Sequence, residues 1–288
     1  MHKHSAVMLV VGLGASALAI GASARPSDSD SAKQHSVSVR AVTWNVRYGS
    51  MASVEQVGEV LRTSRADVAF LSEVPHGDWA LRVAKSAGMV HVLNGTISSA
   101  NHPDKFKVIL SRTPISSGCE VHFDSEGAWN PASAVRGRTR VRGVPIALWS
   151  THIANREGKG HAWTLANALS RDRTPNVLVG GDLNLYVDSP GLQAIRHKGF
   201  VSAWDLPHAN PQQQSTIVGR PDHGVIDHVL LKSRRGSFQD VNVVNQDPAL
   251  SDHYPVNSTV RLRPTPKTAN TGFTCPPLRL PSAMATTP

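Results

Sequence analysis

Residues 176–184 read NVLVGGDLN: an apolar run, Val177-Leu178-Val179, meets two glycines and then a carboxylate and an amide. The run suits a packed strand. Gly, Asp and Asn are also ordinary turn residues. The stretch therefore supports two readings: a strand that closes in a turn, or a strand whose end presents a reactive group. The rest of the chain decides between them.

Working outward, strand-like and helical runs alternate. VSVRAVTWNV (37–46), DVAFLSE (67–73), KVILS (107–111), VPIALWST (144–151), NVLVGGD (176–182), VIDHVLL (225–231) and PVNSTVRL (255–262) read as strands. SVEQVGEVL (53–61) reads as a helix, with Val54, Val57, Val60 and Leu61 on one face and Ser53 with Gln56 as a capping box. GDWALRVAKSAG (77–88), stopped by Gly88, and HAWTLANAL (161–169) and GLQAIRH (191–197) also read as helices. Many strands with interspersed helices imply a layered α/β or α+β domain.

Polar residues fall repeatedly at the strand ends: Asn45, Glu73, His152, and Asp182 with Asn184. Asp227 interrupts VIDHV, and Asp252-His253 precedes the last strand. A lone carboxylate in a core would cost several kcal/mol, and placement at strand ends avoids that cost. It also gathers residues distant in sequence along one rim. Glu73 and Asp252 offer hard oxygen ligands and Asn45 a neutral one, a set suited to Mg²⁺ or Mn²⁺. No Cys/His set has zinc spacing, although 14 histidines keep zinc open. A carboxylate beside a histidine orients the ring and stabilises its cation. Such pairs fit attack on a phosphodiester, where negative charge grows on phosphoryl oxygens.

The segments TWNVRYG, FLSEV, ILSRTPI, STHI, GGDLN, VIDHVL and SDHYPV resemble, in that order, the motifs of the endonuclease/exonuclease/phosphatase superfamily, which includes deoxyribonuclease I, apurinic-site endonucleases, bacterial neutral sphingomyelinases and inositol polyphosphate phosphatases. The resemblance covers roughly residues 38–262. It implies a four-layer sandwich of two packed mixed β-sheets flanked by helices, with the cleft at one edge. It also implies roles. Glu73 would be the principal metal ligand, Asn45 its support, and Asp252 a second-site or outer-shell carboxylate. Asp182 would activate or orient water, and Asn184 would hold the scissile phosphate. His152 would donate to a phosphate oxygen. His253, oriented by Asp227, would stabilise the pentacovalent state. Arg47 stands where some apurinic-site enzymes carry an acid, which argues against abasic-site repair. The carboxylate partner of His152 has no clear match in residues 94–106, and His228 reads as a packing residue.

The chain has 288 residues, 40% of them hydrophobic, and a formal net charge of +9. That supports one large domain, here residues 37–263, with a core of its own. The first 24 residues read as a secretory signal. Lys3 lies in a cationic start, an apolar stretch runs from about Ala6 to Ile20, and Ala22-Ser23-Ala24 is a cleavage pattern. The apolar stretch is broken by Gly12, Gly14 and Ser16 and falls short of the roughly 20 residues that span a bilayer. Residues 25–36 read as a linker and 264–288 as a Pro-rich tail. After secretion, Cys119 and Cys275 form a pairable set, and a disulfide tying the tail to the body is expected, two unpaired thiols being the alternative.

Basicity suits an anionic partner. In VRGRTRVR (135–142) the arginines at 136, 138, 140 and 142 alternate. In a strand they would share one face, as a row of cations about 20 Å long. Such a row could follow a phosphate backbone, or be a solvated face or a set of ion pairs. Nucleic acid is the expected substrate. Membrane lipid is the alternative, with Trp129 an isolated candidate contact. An inositol polyphosphate and a catalytically silent binding protein are the other readings. No obligate protein partner is inferred, and a monomer is expected.

Overall fold

The computed structural model describes residues 36–123, 131–154, 158–245, 249–264 and 272–275. The expected leader, nearly all of the linker, Trp129 and most of the tail lie outside these residues. Among the described residues, twelve strands form two six-stranded sheets. In chain order they are β1 (Val37–Asn45), β2 (Val68–Val74), β3 (His91–Asn94), β4 (Phe106–Ser111), β5 (Ser116–Phe123), β6 (Ala132–Val141), β7 (Val144–His152), β8 (Asn176–Asp182), β9 (Val201–Ser202), β10 (Asp227–Ser233), β11 (Gly236–Val243) and β12 (Val256–Leu262). The helices are α1 (Val54–Thr63), α2 (Trp79–Ser86), α3 (Gly158–Arg171) and α4 (Pro190–Arg196).

The first sheet has the order β11-β12-β1-β2-β4-β3 and the second β5-β6-β7-β8-β10-β9. Both are mixed: β1 runs parallel to β2 and β7 parallel to β8, while the other neighbours are antiparallel. Apolar side chains from both sheets, including Phe70, Ile109, Val135, Leu148, Leu178, Val229 and Val260, fill the space between them. A second cluster joins α1 and α2 to the first sheet through Trp44, Leu61, Val83 and Leu110. A third joins α3 and α4 to the second sheet through Trp149, Leu165, Val179 and Ile195. The result is the helix–sheet–sheet–helix sandwich, α/β in class, that the motifs imply.

Local sequence explains the elements. The Ser53 side chain accepts from Gln56 N, and the Gln56 side chain returns the bond to Ser53 N, starting α1. The glycines of NVLVGGDLN answer to close approach. A Cβ on Gly180 would lie 2.2 Å from Phe70 of the facing sheet, and one on Gly181 would lie 1.9 Å from the Thr151 carbonyl oxygen. The strand can pack there only without side chains, and Asp182 follows at once.

Among the described residues four strands exceed the sequence reading, β3, β5, β9 and β11, and a fifth, β6, was read only through its alternating arginines. β3 and β9 are too short to show a period. β5 opens on Ser116-Ser117-Gly118 and carries a register shift before Cys119. β11 is an outer strand whose exposed residues alternate with Phe238 and Val241 across a bulge.

The arginine row is corrected. β6 pairs Ser133 with His152 and Arg140 with Pro145, so the arginines run away from the strand ends that carry the polar cluster. Arg136 is 1% exposed and donates from Nε to Asp172 Oδ2 at 3.0 Å. Phe273 lies over its guanidinium at 4.7 Å. Arg138 is half-buried, and Arg140 donates to the Gly143 carbonyl. Arg142 lies past the end of β6 with φ at 47° and donates to the Ser38 carbonyl at 2.7 Å. A buried cation finds a counter-charge before it serves a ligand, so a four-arginine surface row does not form. The expected disulfide does form between Cys119 and Cys275, with Cα atoms 6.3 Å apart, and it brings Phe273 edge-on against Trp149.

Candidate functional site

The two parallel strand pairs end at the same rim. In the second sheet the register aligns His152 with Asp182 and Asp182 with Asp227, which sets three polar residues in one row across β7, β8 and β10. In the first sheet Asn45 pairs with Ser72, next to Glu73. A register shift between Leu71 and Val74 and a φ of 52° at Glu73 end the regular pairing there. Non-glycine residues in this conformation cost about 1–3 kcal/mol and cluster at functional sites. Arg47, Tyr48 and Asn184 share the feature, at 42°, 47° and 48°.

Asp182 is the hub. Its Oδ2 accepts from Asn45 Nδ2 at 3.1 Å and lies 3.4 Å from His152 Nε2 and 3.7 Å from His253 Nε2. Its Oδ1 accepts from Asn184 N at 3.0 Å, and Asn184 Nδ2 donates to the Ile153 carbonyl at 2.8 Å. His253 Nδ1 is 2.8 Å from Asp227 Oδ2. The loop carrying His253 is tied down by Trp44 Nε1, which donates to its carbonyl at 2.8 Å, and by Ser251 Oγ, which donates to the Asn45 carbonyl at 2.7 Å. Glu73 Oε1 lies 3.9 Å from His152 Nδ1 and accepts from Lys105 Nζ at 3.0 Å. The structure thus brings Asn45, Glu73, His152, Asp182, Asn184, Asp227 and His253 together. Asp252 stands at the solvent edge, 3.5 Å from Arg47 Nε.

Burial sets these groups apart in charge. It pushes the His152 imidazole down to about 4 despite the pull of Asp182, and Lys105, Lys107 and His253 push the same way. His152 is neutral at pH 7. Burial also opposes the cation of His253, but Asp227 and Asp182 outweigh it and carry its pKa up to about 10. Burial, followed by the neighbouring Asp227, raises the Asp182 carboxyl above its ordinary value. Two histidines within reach of one aspartate therefore hold opposite protonation states.

Several contacts were missed from sequence. Among the described residues the carboxylates nearest His152 are Asp182, 3.4 Å from Nε2, and Glu73, 3.9 Å from Nδ1, while the segment 94–106 contributes Lys105. Lys107 is fully buried, with Nζ donating to the Ile97 carbonyl and to Ser99 Oγ at 3.2 Å. Its signal was a lysine inside the apolar run FKVILS. Burial pushes the Lys107 ammonium down to about 8, against the pull of Glu120. Glu120 Oε2 accepts from Thr96 N and Ile97 N at 2.5 and 3.1 Å, fixing the loop that leads to Lys105. His228, buried between the Leu185 carbonyl and Ser202, is a packing residue.

The residues present fit a divalent cation. Glu73 and Asp252 are carboxylate donors at the rim, and both already hold cationic side chains, while Asn45 Oδ1 accepts from Arg47 N at 3.0 Å. Asp182, Asp227 and His253 also place ligand-type atoms within 4.8 Å of one another. A protonated His253 committed to Asp227 is a poor ligand, so this trio is better suited to handling protons.

The profile of the Endonuclease/Exonuclease/phosphatase family matches residues 42–253. Comparison with curated protein sequences finds no significant match. Among solved structures, an endonuclease/exonuclease/phosphatase from Beutenbergia cavernae DSM 12333 superposes with a TM-score of 0.65 at 20% identity, over 78% of this chain and 72% of that one. A mannosyl-6-phosphatase from Bacteroides thetaiotaomicron VPI-5482 gives 0.61 at 14%, over 77% and 99%. D. rerio TDP2 in complex with a single-strand DNA product gives 0.61 at 14%, over 77% and 98%. At these identities the likeness speaks for the fold. Matched along most of its length and folded as the motifs imply, this chain belongs to the endonuclease/exonuclease/phosphatase family, whose enzymes hydrolyse phosphate esters and are generally dependent on a divalent metal.

Proposed function

We propose that the protein is a secreted, Mg²⁺- or Mn²⁺-dependent phosphodiesterase, and that its substrate is nucleic acid. The observation that carries the reaction is the row His152–Asp182–Asp227 with His253 closing on it. A phosphate seated at the rim meets an aspartate able to take a proton and a cationic imidazole able to donate one. Asp182 Oδ2 accepts a proton from water, or orients it, for in-line attack on phosphorus. Asn45 and Asn184 hold that carboxylate in place. His253, kept cationic by Asp227, donates to a phosphoryl oxygen as negative charge builds there. His152, neutral, donates one hydrogen bond without adding charge. Glu73, Asn45 and Asp252 would hold the divalent ion, which supplies Lewis-acid stabilisation of phosphoryl charge when bound.

The net charge of +9 supports a polyanionic substrate. The apolar leader and the Cys119–Cys275 disulfide support secretion, since disulfides persist in oxidising compartments. A panel of duplex DNA, single-stranded DNA, RNA, sphingomyelin and inositol phosphates tests the proposal, with Asp182→Ala as the blank. DNA or RNA is expected to be cleaved, chelator to stop cleavage, and Mg²⁺ or Mn²⁺ to restore it. Hydrolysis of lipid or inositol phosphate alone would overturn the substrate, and turnover that survives chelation would overturn the metal.

A further inference from the structure

Glu73, the best-placed oxygen donor for a divalent ion, already carries a cation of this chain. Lys105 Nζ lies 3.0 Å from Glu73 Oε1, with both side chains largely buried. The lysine is delivered to that position. Lys105 N donates to Ser98 Oγ at 2.9 Å, its carbonyl accepts from Ser99 N at 3.2 Å, and Glu120 grips Thr96 and Ile97 at the start of the same loop. The ammonium also lies 5.7 Å from the centre of the Tyr48 ring, itself stacked on His102. Through Glu73, which lies 3.9 Å from His152, the ammonium borders the polar cluster on a flexible four-carbon stem.

We propose that Lys105 is a displaceable counter-cation. It holds the Glu73 carboxylate in position while the metal is away, yields that carboxylate to the divalent ion, and then turns to the substrate phosphate. The inference rests on Glu73 being an ion ligand, as proposed above. Lys105 occupies only Oε1 of Glu73, and a divalent ion arriving on the same carboxylate repels the ammonium at close range and weakens its hold. A lysine offers three rotatable donors and binds phosphate as a point charge. The mouth of the site thereby turns positive only when the metal is bound. Without metal, Glu73 and Lys105 neutralise each other, and with metal the released ammonium adds to the attraction for an anion.

The test is Mn²⁺ binding to the full chain by calorimetry. Lys105→Gln is expected to bind Mn²⁺ about fivefold or more tightly than wild type, since a competing positive charge is gone. Lys105→Arg, which keeps the charge, is expected to stay near wild type. With Mn²⁺ present, inorganic phosphate is expected to bind Lys105→Gln several-fold more weakly than wild type. A readout in the unaltered protein guards against a variant that fails to fold. Acylation of Lys105 by an amine-reactive reagent, followed by mass spectrometry, is expected to rise when Mn²⁺ is added. Unchanged Mn²⁺ affinity in Lys105→Gln, or labelling indifferent to Mn²⁺, overturns the proposal. Glu73→Gln separates the two layers. If it binds Mn²⁺ as wild type does, the assignment of Glu73 as a ligand is wrong and the role of Lys105 falls with it. If Glu73→Gln loses Mn²⁺ while Lys105→Gln matches wild type, only the role of Lys105 is wrong.

Discussion

β1 and β2 run parallel and end in Asn45 and Glu73; β7 and β8 run parallel and end in His152 and Asp182. Each pair sits at the centre of its sheet, and both ends open on the same rim. Their chemistry differs. The first pair offers oxygen donors beside cations: Lys105 on Glu73, and Arg47 on the adjacent Asp252. The second offers His152 and Asp182, met there by Asp227 of β10 and by His253 from the loop before β12, with His253 held cationic and His152 neutral. One end is arranged to hold charge and the other to move protons. The two tasks meet at the shared edge because the first sheet also sends His253, on the loop before β12, across to Asp182 and Asp227 of the second.

The largest effect is expected from breaking the proton-handling end. Asp182→Ala should cut kcat by about 10²–10⁴-fold, with circular dichroism unchanged. His253→Ala should cost about 10²–10³-fold, the usual loss for one donor to developing charge. Near-wild-type turnover in either variant would end the assignment of that strand pair. Breaking the other end should look different. Glu73→Gln should raise the Mg²⁺ concentration for half-maximal rate by more than the roughly 10–100-fold that a supporting residue costs, while the alkaline limb of the rate profile stays in place.

A smaller effect sharpens the comparison. Asp227 is the foremost group that raises the pKa of His253. Asp227→Asn should therefore lower that pKa from about 10, and the loss of rate at high pH should begin at lower pH. On the acid side, the rate should fall as Asp182, whose pKa is raised, takes up a proton. Titration of the His253 ring by NMR checks the first point directly. The smallest effect on turnover is expected at the face behind α3, in Asp172→Ala. It leaves Arg136 buried and unpaired, which should cost about 3–5 kcal/mol of stability with kcat intact. A denaturant melt beside a rate assay separates the two readouts.

The same contrast explains what could be read in advance. Long apolar runs ending in a polar residue, such as VTWN, FLSE and LVGGD, gave both the strand and its exposed end, because burial and reactivity impose opposite residue types at that junction. Short or outer strands escaped, since β3 and β11 have little to bury. The arginine row was misread because alternation reports which face a residue takes, and not what already covers that face. In this chain Asp172 and Phe273, 36 and 137 positions beyond Arg136, cover it. Lys105 escaped for a related reason: its partner, Glu73, lies 32 positions away, and a loop lysine carries no periodicity to betray it.

Gly180 and Gly181 leave no room for even a methyl group against Phe70 and the Thr151 carbonyl. The position of Asp182 is consequently set by contact immediately upstream, on both sides of the strand, with no slack to absorb an error. An alanine at Gly181 would have to push β8 away from β7 and carry the carboxylate off His152. The tolerance of the reaction to mutation is thus narrowest at two positions that touch no substrate and have no side chain to lose.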